Sequence, residues 1–344
     1  MSDTAKLITA VADTLILAYR VLPAEVEQIP VGTITAAFRV TDQEGRQWVA
    51  EVYRSRAALD RERDAVELAE FARAGQVPVP AARRTVEGDL VERLGRIPMS
   101  VREYIGGAET ADDGLSGTRW QAVGTALGHL HRRLAEHPAA GPRTLPGAGV
   151  CTLSRARSRF DRLIAKLGQR AQLSPVDAWV LETAHERRAL LTRVATLLKH
   201  LPPLTTQIVH GNLASPNLML RGNSVAALIN FRPPRPRFTA WEVARLVLDH
   251  RTVLRGDEWL AGLPDLISAY REAHSAARPE DLLSTVAVGC AWTLASAYPL
   301  TEVLDQPHGL DAPLQAYARA RHKAALTLLD RLDEAEEAVR DGLR

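Results

Sequence analysis

Cysteine is nearly absent from this 344-residue chain. Cys151 and Cys290 are too few for a disulfide framework and point to a reducing compartment. No apolar run is long enough to span a bilayer, and the N-terminus lacks the basic region, apolar run and small-residue cleavage site of a secretion signal. The expectation is a soluble, cytoplasmic protein with no membrane partner. A surplus of one charge is missing as well: 43 basic and 41 acidic residues leave +2, which gives no general electrostatic case for nucleic acid. Aromatics are scarce at 5%, while Ala, Leu and Arg are abundant, favouring a helix-rich protein. The length allows a large core and two subdomains. No internal repeat or low-complexity segment is found.

The most informative stretch runs from Gln207 to Arg245. Ile208 and Val209 form an apolar β-like run that enters a polar loop, His210-Gly211-Asn212-Leu213-Ala214-Ser215-Pro216-Asn217. Two short apolar strands, Leu218 to Leu220 and Val225 to Ile229, flank the turn-rich Arg221-Gly222-Asn223-Ser224 and read as a hairpin. Asn230-Phe231, a Pro/Arg-rich run and a helix from about Ala240 follow. Such an arrangement of loop, hairpin and loop can aim two polar side chains at one point.

This stretch resembles the catalytic segment of the aminoglycoside phosphotransferase and choline kinase family, the small-molecule branch of the kinase-like fold. That family carries His-Gly-Asp, a downstream Asn, Ile-Asp-Phe/Trp after a hairpin, and a Trp-(Asp/Glu)-Leu-Ala helix start. Here the frame is His210-Gly211, Asn217 five residues beyond Asn212, Ile229-Asn230-Phe231 and Trp241-Glu242-Val243-Ala244. Both acidic positions are asparagine. In the family the first Asp accepts the proton of the attacking hydroxyl and the second holds Mg²⁺ on the phosphates. An amide matches the carboxylate in shape, but it carries no charge and takes no proton near neutral pH. Loss of a positioned base costs about 10²–10⁴ in rate, and Mg²⁺ seeks hard anionic oxygens. His210 is expected to hydrogen-bond within its loop rather than do acid–base work.

A third departure lies upstream. The strand Trp48 to Arg54 is similar to the family's Val-Leu-Lys-Val-Tyr-Arg, whose lysine contacts the nucleotide phosphates, and that position is Glu51. No lysine lies between Lys6 and Lys166, and Arg54 points to the other strand face, which leaves Arg46 as the one basic substitute considered. Two unit charges about 6 Å apart at an effective dielectric of ~20 interact by roughly 3 kcal/mol. A carboxylate in place of an ammonium beside a polyphosphate therefore opposes the usual pose by several kcal/mol.

The remaining chain fits the same frame. A helix is expected over Thr4 to Arg20, then strands from Glu27 to Val40 and Gln47 to Tyr53 around the turn Asp42-Gln43-Glu44-Gly45. The segment Val31 to Val40 resembles the family's strand-loop-strand over the nucleotide, which makes Gly32 and Thr33 nucleotide-cleft positions. A charged helix spans 56–74, where Glu62, Asp64 and Glu67 are candidates for the helix acid and, lacking a lysine, are expected to face solvent. A hairpin around Gly88 and a strand from Met99 to Ile105 lead to Gly106-Gly107. The resemblance implies a hinge there, with an adenine edge against backbone groups of Glu103 and Ile105. Further helices are expected over 120–134, 153–171, 175–200, 241–254, 257–276, 279–298 and 312–341, and a surface loop over 137–149. His129 and His131, two apart, cannot share a helix face as metal ligands do and read as structural. The run Arg232 to Arg237 reads either as a solvated, proline-stiffened loop or as an anion- or partner-binding strip.

The resemblance implies an α+β, two-lobed, protein-kinase-like fold. Residues 1–105 would form a small β-rich N-terminal lobe and 106–344 a mainly helical C-terminal lobe carrying the segment 207–245. The departures at Glu51, Asn212 and Asn230 lead to the expectation of a pseudokinase that serves as a ligand-binding or scaffolding accessory protein. Its setting would be bacterial specialised metabolism, which the Arg/Ala-rich composition suits. The alternative is an active phosphotransferase, or another cleft enzyme, with rearranged catalytic residues. The partners implied are a small molecule or peptide in the interlobe cleft and a partner enzyme. No resident metal is expected, and ATP with Mg²⁺ is expected to bind weakly if at all.

Overall fold

The computed structural model describes residues 3–29, 35–93, 97–305 and 310–344. Helix α1 (Asp3–Tyr19) precedes strands β1 (Pro23–Ile29), β2 (Thr35–Asp42) and β3 (Gln47–Tyr53). Helix α2 (Leu59–Ala74) is followed by β4 (Ala82–Arg83), β5 (Val91–Glu92), β6 (Met99–Glu103) and β7 (Glu109–Thr110). Next come α3 (Arg119–Leu134), β8 (Arg143–Pro146), α4 (Leu153–Gly168), α5 (Pro175–His200) and β9 (Pro203–Ile208). The hairpin β10 (Leu218–Arg221) and β11 (Ser224–Leu228) leads to β12 (Pro236–Phe238) and α6 (Thr239–Val247). The chain ends with α7 (His250–Val253), α8 (Glu258–Ala273), α9 (Pro279–Leu283), α10 (Thr285–Ala295), α11 (Ala312–Asp330) and α12 (Leu332–Asp341).

Internal contacts divide the chain into two units. One comprises Met1–Thr110 with His210–Arg235, and the other Ala111–Val209 with Pro236–Arg344. A cut after residue 105 would leave the whole segment 207–245 in the second unit, whereas its middle groups with the first. The segment leaves and rejoins the second unit at paired residues, because β12 lies antiparallel to β9 with Pro236 opposite Ile208.

The first unit is built on an antiparallel sheet of order β1-β2-β3-β6-β4, with β5 also on β6. Side chains alternate across β3 because a strand has a period of two. Trp48, Ala50 and Val52 pack with Phe38, Met99 and Val101 against Val11, Leu15 and Tyr19 of α1. The Tyr19 hydroxyl donates to the Met99 carbonyl at 2.6 Å and accepts from the Glu92 amide at 3.1 Å, tying α1 to β6 and β5. A second sheet, β11-β10-β7, carries the loop from His210.

The second unit is helical, with a small sheet β12-β9-β8. The expected loop over 137–149 thus contains an exposed strand, since β9 offers it an edge to pair with. Three of the long helices expected are broken in two. The break after α6 has a clear cause: the Asp249 side chain accepts from the Arg251 amide and caps a new helix. At the centre, His131 Nδ1 lies 2.7 Å from the Tyr270 hydroxyl and Nε2 lies 3.2 Å from Glu242. The Gln207 side-chain Nε2 donates to the His131 carbonyl at 2.7 Å. His131 and Glu242 are wholly buried, so this network joins α3, α6, α8 and β9 without solvent. Among the described residues no helix is long and apolar enough to cross a membrane.

Helices α3 and α8 cross at glycines. A Cβ on Gly124 would stand 2.2 Å from the Leu266 carbonyl oxygen, and one on Gly262 would stand 2.2 Å from the Trp120 ring. Alanine normally favours a helix by about 0.5–1 kcal/mol over glycine. Here the clash with backbone outweighs that gain. Gly124→Ala is expected to lower stability by roughly 1–3 kcal/mol, read as a lower urea midpoint at unchanged slope. An equal or higher midpoint would show that the two helices have slack.

Candidate functional site

The first unit contains a cavity of about 570 Å³ on the sheet face opposite α1. Strand parity determines its floor: with Trp48, Ala50 and Val52 committed to the core, Val49, Glu51 and Tyr53 must face the cavity. On β6 the same alternation turns Ser100 and Arg102 toward it, and the Tyr53 and Ser100 hydroxyls meet at 2.8 Å. One wall comes from a face of α2 with Glu62, Ala65, Val66 and Ala69. The other comes from the hairpin segment, with Asn212, Asn217, Ile229, Asn230 and Arg232.

Glu51 is the centre of the electrostatics. One carboxylate oxygen accepts from the Thr35 hydroxyl at 3.0 Å and the other from an Arg102 guanidinium nitrogen at 3.0 Å. Their side chains are only 18% and 25% exposed, so this charge-assisted bond is shielded from solvent on most sides. The cation paired with Glu51 is therefore an arginine one strand away, diagonal to it. Arg46, the substitute considered from sequence, pairs with Asp42 at 2.9 Å and stands over the Trp48 ring. The parity of Met99-Ser100-Val101-Arg102, apolar and polar in turn, was the signal that could have found Arg102. Arg232 was legible as part of the Pro/Arg run but not as a cavity residue.

The three asparagines close a ring of hydrogen bonds. The Asn212 side chain donates to the Asn230 carbonyl at 3.2 Å, and Asn230 Nδ2 donates to Asn217 Oδ1 at 2.8 Å. Asn217 Nδ2 donates to the Asn212 carbonyl at 2.7 Å. Asn230 has φ +63°, a left-handed conformation that asparagine and aspartate tolerate better than other side chains, so an amide here preserves the backbone while removing the charge. His210 Nδ1 accepts from the Asn212 amide at 3.2 Å, and its buried ring stacks on Phe231 at 4.0 Å. This set of donors and acceptors fits Mg²⁺ poorly. The oxygen of Asn217 already receives an N–H, and Asn230 offers only a neutral amide.

Glu103 and Ile105 line the rim. The Glu103 amide is spent on the Ala81 carbonyl at 2.9 Å, while Ile105 makes no hydrogen bond among the described residues. Gly32 and Thr33 lie outside the described residues. Asp64 and Glu67 pair with Arg63 on the helix surface. Glu62 departs from its expected solvent-facing position because it shares a helix face with Ala65, Val66 and Ala69. Among the described residues no three His, Cys, Asp or Glu side chains are grouped to hold a metal ion.

Residues 25–280 match the model of the phosphotransferase enzyme family. A spectinomycin phosphotransferase solved with ADP and spectinomycin superposes with a TM-score of 0.66 at 11% identity, covering 94% of this chain and 98% of that one. An amicoumacin kinase in complex with AMP-PNP, Ca²⁺ and Ami gives a TM-score of 0.60 at 15% identity, with 94% of this chain and 96% of that one covered. An ethanolamine kinase of Plasmodium vivax gives 0.55 at 13%, with 88% and 82% covered. These likenesses show the two-lobed kinase-like fold. A search of curated protein sequences finds no significant match.

Burial raises the Glu62 pKa, with Glu51 adding to the shift and Arg232 and Arg61 opposing it. The fold therefore favours protonated Glu62. Its contribution is fully present below the ordinary value of 4.5 and is lost as pH rises through the raised one. Glu62→Gln should melt like the wild type near pH 4, below the ordinary carboxylate value, and above the wild type at neutral pH, where the wild-type carboxyl must ionise in the cavity wall. Parallel melting curves at both pH values would show that Glu62 is not desolvated by this cavity.

Proposed function

The chain belongs to the phosphotransferase enzyme family, and we propose that within it the protein is a pseudokinase, a small-molecule kinase fold whose cavity binds a ligand without transferring phosphate. The observation that carries this reading is the pairing of Glu51 with Arg102. Where the family motif supplies a free ammonium for the phosphates, this chain has a carboxylate already neutralised by its own arginine. The asparagine ring supports it, because the positions of the general base and the metal ligand are uncharged and bonded to each other. The protein's work is then ligand binding or support of a partner enzyme in bacterial specialised metabolism. Mg²⁺-ATP binds weakly or not at all.

A second reading is favoured by Arg102 and Arg232, which both line the cavity. With Glu51 released from Arg102, two guanidiniums are placed to meet a polyphosphate, and the chain would act as a phosphotransferase with rearranged groups. Calorimetry with ATP, with and without Mg²⁺, separates the two. Micromolar binding that tightens with Mg²⁺ would overturn the pseudokinase reading.

Rebuilding the site tests the same cause from the other side. Glu51→Lys alone places an ammonium beside Arg102 and is expected to destabilise the first unit. Glu51→Lys with Arg102→Gln, Asn212→Asp and Asn230→Asp removes that repulsion and restores a base and an anionic metal ligand. Ligand at about a hundredfold excess over Kd stabilises the folded state by about 2.7 kcal/mol. A rise in Tm with Mg²⁺-ATP is expected in the fourfold variant and not in the wild type. Binding should return before transfer, since small misplacements of an acceptor cost large factors in rate.

A further inference from the structure

The outer face of α1 carries a pattern that neither the cavity nor the core uses. Val11, Leu15 and Ala18 turn inward, while Ile16 and Leu17 project outward at 42% and 75% exposure. Val86, 50% exposed, lies beside them, its amide donating to the Ala18 carbonyl at 2.8 Å. Single exposed apolar residues are normal on a protein surface. Here three adjoin, and a hollow lies at each end of the group.

The two hollows have opposite character. One, of about 380 Å³, is lined by Tyr19, Arg20, Arg83, Arg84, Thr85 and Val86. The other, of about 170 Å³, holds Leu17 and Val86 together with Asp13, Glu87 and Glu92. Along α1 the order is Asp13, then Ile16 and Leu17, then Arg20; along the neighbouring loop it is Glu87, Val86, then Arg84 and Arg83. Both segments thus run from acidic through apolar to basic, and both place the same sign at the same end. Arg20 stands at the helix end with φ +50°, a conformation that side-chain-bearing residues adopt at a cost, and its side chain is exposed.

A surface that is acidic at one end, apolar in the middle and basic at the other is complementary to itself under a two-fold rotation. We propose that this face is an isologous dimer interface whose occupant is a second copy of this chain. The two α1 helices cross antiparallel about Ile16 and Leu17, so that Asp13 of each protomer meets Arg20 of its partner. An isologous contact requires that i meet j wherever j meets i, and Asp13 and Arg20 lie symmetrically about the midpoint between Ile16 and Leu17. Charges in such a rim set register and partner choice, while the apolar centre supplies the affinity. The inference does not rest on the reading of the cavity, since no residue of this face lines it.

The test is sedimentation velocity over a concentration series of the full chain. The wild type is expected to form a dimer. Leu17→Glu, at a position exposed in the monomer, should raise the dimer Kd at least about tenfold with an unchanged circular dichroism spectrum. Arg20→Glu should weaken the dimer because it sets two carboxylates together across the interface. Arg20→Glu combined with Asp13→Arg should restore it, a rescue that a merely destabilised fold would not show. A wild type that stays monomeric at the highest soluble concentration overturns the proposal, as does a dimer indifferent to Leu17→Glu. A monomer that instead captures a different protein through this face overturns it too.

Discussion

A strand has two faces, and in the first unit helix α1 takes one of them. Everything at the cavity follows from that constraint. Once Trp48, Ala50 and Val52 fill the space under Val11 and Leu15, Glu51 has nowhere to go but the opposite side. A carboxylate so placed, mostly out of water, needs a donor, and the alternation of β6 delivers Arg102 at 3.0 Å. Glu51 is therefore not an isolated charge facing the cavity. It is half of an ion pair that the sheet accommodates without strain.

The second unit shows the opposite balance. Its motif acid, Glu242, is present and fully buried, and it is spent on His131 in a network with Tyr270 and Gln207. Glu242 holds helices together, whereas Glu51 and the three asparagines face the cavity. Stability and chemistry draw on different residues of the same motif. The helices pack through this network and the glycines of α3 and α8, none of which lines the cavity.

Much of this was legible in the sequence. The hairpin around Arg221-Gly222-Asn223-Ser224, the amphipathic helices and the parity of β3 all follow from local periodicity. The family frame then located Glu51 and the three asparagines. Periodicity says nothing about pairs distant in sequence, so the ring among Asn212, Asn217 and Asn230 and the Glu51–Arg102 pair, 51 residues apart, needed coordinates. Glu62 was misplaced because the missing lysine left it without its usual partner and so assigned it to solvent, whereas its position relative to Ala65 and Ala69 puts it on the wall. The broken helices 241–254 and 312–341 were missed because their apolar spacing runs through the break. At the first of these the capping residue Asp249 marked the boundary in plain sight.

Asparagine side chains are chemically perishable: water slowly exchanges the amide nitrogen for oxygen and releases ammonia. Direct hydrolysis of the amide at Asn212 or Asn230 would leave aspartate in the two places where the family motif has it. Each event also deletes an N–H that the ring uses, at Asn212 toward the Asn230 carbonyl and at Asn230 toward Asn217. Hydrolysis there would place negative charge on one wall of the cavity without any change of gene. No such ageing converts Glu51, whose carboxylate has no hydrolytic route to an amine.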